Sequence, residues 1–221
     1  MELLYTAHVP EGDGPHPTLL LLHGWGASAH DLIGLAPILH RGRALVLCPQ
    51  GPLAFQAGPG AIGYGWFPLS QDRPPDPEEV EAALAQVGRF LDAVCQRYPV
   101  DRKRLVIGGF SQGGFMAYQL ALRAPERFAG LMALSSWLPR PLGDAIEKKP
   151  AHAELSTLVV HGTQDPMIDV ARARESRDTL TRLGVPLVYR EFEMGHEIVP
   201  DALREIVGWL ESKIVSPIQL V

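Results

Sequence analysis

The stretch Arg104-Leu105-Val106-Ile107-Gly108-Gly109-Phe110-Ser111-Gln112-Gly113-Gly114-Phe115-Met116-Ala117 decides the fold. Leu105-Val106-Ile107 is a short apolar run ended by glycine, as expected of a strand buried on both faces, while Phe115, Met116, Gln119, Leu120 and Arg123 follow helical spacing. Between them, Gly109-Phe110-Ser111-Gln112-Gly113 has the form G-x-S-x-G. In such an elbow the serine sits on a sharp strand-to-helix turn, and the flanking residues are small because a Cβ would clash where strand and helix come close. The turn lifts the hydroxyl to the carboxyl edge of a sheet, beside a helix N-terminus whose amides stabilise developing negative charge. That is a site for acyl transfer. These five residues alone also fit a plain glycine-rich connector, and the loops nearer the carboxyl end of the chain separate the two.

A nucleophile of this kind requires an acid and then a histidine, each just beyond a later strand. Thr157-Leu158-Val159-Val160-His161-Gly162 reads as a buried strand, with Asp165 in the turn after it; Leu187 to Phe192 reads as the next strand, followed by Met194-Gly195-His196-Glu197. No histidine other than His196 lies after Asp165, which makes it the predicted base. His23 and His161 each precede a glycine at a strand end and read as braces for their loops. Asp165 is favoured as the acid by its place in the loop, although Asp169 is close by and alternatively caps the helix that begins near Val170. A second loop, His23-Gly24-Trp25-Gly26-Ala27-Ser28, comes after the apolar run Thr18 to Leu22. The amides of Trp25 and Gln112 are predicted to converge on a carbonyl oxygen as it becomes an oxyanion. The loop lacks the Lys-Ser/Thr ending of a phosphate-binding loop and the G-x-G-x-x-G spacing of a dinucleotide site.

The chain has 221 residues, a net charge of −5 and two cysteines. That length suits one α/β domain over residues 1–221, and the charge provides no basic field for nucleic acid. No leader pattern or membrane-length apolar run is apparent, so a cytoplasmic protein without stable membrane insertion is expected. Cys48 and Cys95 read as buried thiols, and neither a metal nor an organic cofactor is implied. Alternating strand and helix patterns predict a mainly parallel central sheet with helices on both faces. The strands include an edge strand over Leu3 to Val9. The helices include one from Pro77 to about Arg97, with an Asp76–Glu79 capping box, one from Asp169 to Leu183, and one from Pro200 to Ser212 with Leu203, Ile206, Val207 and Leu210 inward. Gly51 to Asp76 reads as a long loop whose Phe55, Tyr64, Trp66 and Phe67 wall a substrate groove or pin the loop to the body. Ser135 to Leu155 is too short for a large cap domain, and an open, shallow cleft is expected.

Six blocks in order carry a resemblance to the small α/β-hydrolases of the carboxylesterase/phospholipase family, which includes acyl-protein thioesterases and bacterial carboxylesterases. They are Leu22-His23-Gly24, Gly65-Trp66-Phe67, Gly109 to Gly114, Leu134-Ser135-Ser136-Trp137-Leu138-Pro139, His161 to Pro166 and Met194-Gly195-His196. The resemblance implies the α/β-hydrolase fold, a Ser111, Asp165, His196 triad, oxyanion amides at Trp25 and Gln112, and an acyl groove touched by Trp66, Trp137 and Met167. It implies a serine carboxylesterase that takes small-molecule acyl esters of short to medium chain through an acyl-enzyme, and a homodimer is compatible with it. Acyl-protein thioesterase or lysophospholipase action is the alternative within this chemistry. A noncatalytic ligand receptor on the same fold is the alternative outside it.

Overall fold

Residues 2–70 and 74–215 are described by a computed structural model. Apolar runs bounded by glycine, proline or polar residues form the strands, and the longer amphipathic stretches form the helices. In chain order these are β1 (Tyr5–His8), β2 (His16–Leu22), β3 (Leu45–Pro49), β4 (Leu53–Gly58), β5 (Ala61–Gly65), α1 (Pro77–Arg97), β6 (Val100–Phe110), α2 (Gln112–Arg123), β7 (Gly130–Leu134), α3 (Arg140–Asp144), β8 (Ser156–Gly162), α4 (Val170–Leu183), β9 (Leu187–Phe192) and α5 (Pro200–Trp209). Seven strands make one sheet in the order β1-β3-β2-β6-β7-β8-β9. The edge strand β1 is antiparallel to β3 and every other pairing is parallel. This is the mainly parallel sheet that the alternating pattern predicts.

The sheet explains the unbroken leucine run of β2. Successive side chains point to opposite faces, so Leu20 and Leu22 join a core with Phe90 of α1 and Phe115 of α2, while Leu19 and Leu21 join one with Ile206 and Trp209 of α5. Both faces are therefore covered. The insertion between β7 and β8 holds only the five-residue α3 and a 3₁₀ turn at Pro150–Glu154, and builds no large cap.

Three details differ from the sequence-based expectation. Gly51 to Asp76 is not a featureless loop: β4 and β5 pair antiparallel from Leu53↔Gly65 to Gly58↔Ala61. The turn at Gly58-Pro59-Gly60 closes this hairpin, and its strands escape a periodicity search because one face is largely solvated and small residues interrupt the other. At α1 the Asp76 carboxylate accepts from the Glu78 N–H at 2.9 Å, one residue earlier than a capping box requires. At α5 the buried face is Ala202, Ile206, Trp209 and Leu210, with Leu203 and Val207 half-buried, and beyond Trp209 the chain continues as a π-type turn over Leu210–Val215.

Backbone packs tightly on backbone at the turn from β6 to α2. A Cβ at Gly109 would fall 2.2 Å from the carbonyl carbon of Gly113, and one at Gly113 would fall 2.0 Å from the Leu22 carbonyl oxygen. Only backbone surrounds these positions, so no side chain can swing away. Gly109→Ala is expected to destabilise the protein by about 3 kcal/mol, the upper part of the overpacking range, and to lower Tm by roughly 6–12 °C in a thermal melt. A variant melting within a degree of the parent would contradict this account.

Candidate active site

Parallel register brings the segments after β2, β6, β8 and β9 to one edge of the sheet. Leu22 pairs with Gly109 across β2 and β6, which sets the 23–27 loop beside Phe110 and Ser111. A Cβ on Gly24 would lie 3.4 Å from that of Ser111. Gly162 pairs with Phe192 across β8 and β9, so the loops after those two strands also leave together. They are laced by Thr163 N–H to Phe192 O at 2.8 Å and Gln164 N–H to Met194 O at 3.1 Å. Asp165 and His196 meet for that reason.

Ser111 has φ +54° and ψ −117°, a conformation that side chains with a Cβ rarely adopt. Three bonds hold it there: Ser111 N–H donates to Leu134 O (2.9 Å), and Ser111 O accepts from Phe115 N–H (3.1 Å) and from the Ser136 hydroxyl (2.8 Å). Ser111 caps the N-terminus of α2 without using its side chain, which leaves the hydroxyl free of structural duty. Gln112 N–H is the first amide of α2, and among the described residues neither it nor Trp25 N–H has a protein acceptor.

His196 Nδ1 lies 2.8 Å from Asp165 Oδ2, and its ring packs on Phe110 at 4.8 Å between centroids. The other carboxylate oxygen of Asp165 accepts the N–H groups of Met167 (2.8 Å) and Ile168 (2.9 Å). Burial alone would raise the Asp165 pKa, but the His196 bond and these two amides outweigh it and hold the carboxyl below its ordinary value. The group therefore stays ionised beside the imidazole. Asp169, the alternative acid, instead accepts Ala171 N–H at 2.8 Å as the cap of α4.

The two histidines read as braces serve as such. His23 bonds Gly24 O through Nδ1 (2.8 Å) and accepts Gly51 N–H at Nε2 (2.9 Å), which makes it a neutral ring with its proton on Nδ1. His161 Nε2 bonds Ile168 O at 2.8 Å and lies 3.5 Å from Asp165 Oδ2, fully buried beneath the acid loop. Of the positions assigned to the acyl groove, Trp66 is only 2% exposed and donates its indole N–H to His23 O at 2.9 Å. It therefore lies packed beneath the 23–27 loop. Trp137 is half-buried against Phe115, and Met167 is 73% exposed. Trp25 is 37% exposed and stacks on Phe55 of the hairpin at 4.2 Å. Among the described residues no cluster of His, Cys, Asp or Glu is arranged to hold a metal ion, and no helix is long and apolar enough to cross a membrane.

The sequence pattern of the phospholipase/carboxylesterase family matches residues 5–214. The chain belongs to that family. It is 26% identical to acyl-protein thioesterase 1 of Gibberella zeae over 212 residues, covering 89% of this chain and 90% of the relative. Among solved structures it is similar to esterase PE8, with a TM-score of 0.82 and 26% identity over 96% of this chain and 100% of that one. Acyl-protein thioesterase 2 of Zea mays gives a TM-score of 0.75 and 27% identity, again over 96% and 100% of the two chains. The fold is thus the α/β-hydrolase fold that the six blocks imply.

Two measurements probe this local chemistry. Burial pushes the His23 pKa below its ordinary value, only partly opposed by its bond to Gly24. The unfolded chain then takes up a proton near pH 6.5 that the folded chain refuses, so the stabilisation from this ring is complete above about pH 6.5 and is lost as pH falls from there. Tm measured against pH should decline on that acidic side, and His23→Gln should flatten the decline; an identical curve in the variant would contradict the assignment. His161→Ala leaves Ile168 O without its partner and should lower stability by about 1–3 kcal/mol in a denaturant titration. No change there would show that the brace is dispensable.

Proposed function

We propose that this protein is a serine carboxylesterase in which Ser111 is the nucleophile, His196 the base and Asp165 the acid, with the oxyanion held by the backbone N–H groups of Trp25 and Gln112. The observation that carries this reading is the His196–Asp165 pair at 2.8 Å, with the His196 ring packed on Phe110, next to a strained, otherwise unemployed serine. His196 Nε2 takes the Ser111 proton as Oγ bonds to the ester carbonyl carbon, and the carbonyl oxygen becomes an oxyanion facing the two amides. Collapse of this tetrahedral species breaks the ester C–O bond, and His196 returns the proton to the leaving alkoxide. Water, activated by the same imidazole, then attacks the acyl-enzyme and releases the acid. No metal or organic cofactor enters these steps. Asp165 remains a carboxylate throughout, orienting the ring and stabilising its cationic form.

The substrates proposed are small acyl esters of short to medium chain. In this reading the exposed Met167 and the half-buried Trp137 supply a short apolar track, and Trp25, exposed and stacked on Phe55, limits it on the oxyanion side. Likeness to acyl-protein thioesterases favours thioester cleavage as a second reading, since the same oxyanion and acyl-enzyme serve both bonds. Two unpaired thiols, one buried and one half-buried, agree with a reducing compartment such as the cytoplasm.

Ser111→Ala is expected to fold normally and lose roughly 10⁴- to 10⁶-fold in turnover of p-nitrophenyl butyrate, the scale on which loss of a triad nucleophile acts. Near-parental turnover would remove the reading. Each methylene buried contributes about 0.8 kcal/mol, or about fourfold, until the groove is full. Butyrate to octanoate esters should therefore be the best of a p-nitrophenyl series and palmitate poor, with Trp25→Leu moving the optimum to longer chains. A palmitate optimum in the parent, or an unshifted profile in the variant, would show that the indole does not set the limit.

A further inference from the structure

The segment Tyr64–Phe67, where β5 leaves the hairpin, bonds to the 23–27 loop on both sides of Trp25 and to the side chain of Gln112. On one side Gly26 N–H donates to Tyr64 O (2.9 Å), Tyr64 N–H donates to Ala27 O (3.0 Å), and the Trp66 indole donates to His23 O (2.9 Å). These three bonds hold the 23–27 loop from either side of Trp25. On the other side the Gln112 carboxamide accepts Trp66 N–H at 3.0 Å and donates to Phe67 O at 2.7 Å. Gly65 lets the Trp25 ring lie flat across the segment, because a Cβ there would fall 2.4 Å from the indole and 3.3 Å from Gln112 Oε1.

We propose that the Gln112 side chain is a positioning residue that fixes the spacing of the two oxyanion amides by clamping Tyr64–Phe67, and with it the Trp25 loop, to the start of α2. This rests on the oxyanion assignment above and adds to it a part for a side chain. The physical need is plain. Gln112 N–H is rigid because it opens a helix, whereas Trp25 N–H lies between two glycines in a loop with little conformational restraint of its own. An oxyanion donor is effective only within a few tenths of an ångström of its position, so the loop requires an external reference, and the clamp provides one. Burial does not by itself give a glutamine on this helix such partners. Gln119, as deeply buried two turns further along α2, has no hydrogen-bond partner for either amide atom among the described residues.

That contrast supplies the control. Gln112→Met and Gln119→Met each delete one buried carboxamide from α2, and only the first breaks the clamp. With p-nitrophenyl butyrate, Gln112→Met should lose roughly 10- to 100-fold in kcat with KM within about threefold, less than the 10² to 10³ seen when a donor itself is removed. Affinity for an alkyl trifluoromethyl ketone, which adds to the serine to form a tetrahedral oxyanion, should weaken by the same factor. Gln119→Met should leave both values unchanged. Parental kcat and ketone affinity in Gln112→Met, or a loss confined to KM and melting temperature, would overturn the proposal. If Gln112→Met does not fold, Gln112→Glu keeps the acceptor for Trp66 N–H but removes the donor to Phe67 O. It should show an intermediate loss in kcat and ketone affinity, and parental values would overturn the clamp. An inactive Ser111→Ala beside a fully active Gln112→Met would reject the clamp alone, whereas an active Ser111→Ala would reject the esterase reading beneath it.

Discussion

Backbone contact at the turn from β6 to α2 is the constraint on which the rest of the structure depends. A serine at φ +54° is held in a sparsely populated conformation, a state that costs on the order of 1–3 kcal/mol and persists only where neighbours over-determine it. Here Leu134, Phe115 and Ser136 each bond to the Ser111 backbone, while Gly109, Gly113 and the Leu22 carbonyl close in at distances that admit no side chain. Because Leu22 also ends β2, the same contact brings the 23–27 loop to the serine. One steric arrangement thus sets both the orientation of the hydroxyl and the approach of a loop from elsewhere in the chain.

Parallel pairing alone brings the ionised acid and its histidine together. β8 and β9 end in register, so an acid in one loop and a histidine in the next face each other without a helix or a long linker to align them. Asp165 is buried, yet both its oxygens are engaged, and the pKa is held down by donors rather than raised by desolvation. His161 completes the support from below, tied to the same four-residue turn.

Much of this was legible in the sequence because its strongest signals are backbone requirements. G-x-S-x-G, the two His-Gly strand ends and the order of serine, acid and histidine come from geometry that few residues satisfy, and the choice between Asp165 and Asp169 turned on the helix-cap preference that Asp169 fulfils. The hairpin was not legible. Its strands lack a continuous apolar face, and a run rich in glycine and proline reads as loop until pairing across the turn is seen. Trp66 illustrates a second limit: an aromatic in a loop beside a site looks like a substrate contact, and only its burial and its indole bond to His23 O place it under the loop instead. The carboxamide of Gln112 was hidden for a related reason, since its neighbours in space lie some 45 residues earlier in the chain.

The most direct test of the account is covalent labelling of the folded protein with an alkyl organophosphonate bearing a good leaving group, read by intact mass and peptide mapping. The nucleophile proposed, Ser111, should form one adduct per chain, with loss of ester hydrolysis in proportion to occupancy. Labelling of other residues, or folded protein that remains unlabelled at the concentrations that modify serine esterases, would show that the elbow holds its serine in place without making it a nucleophile.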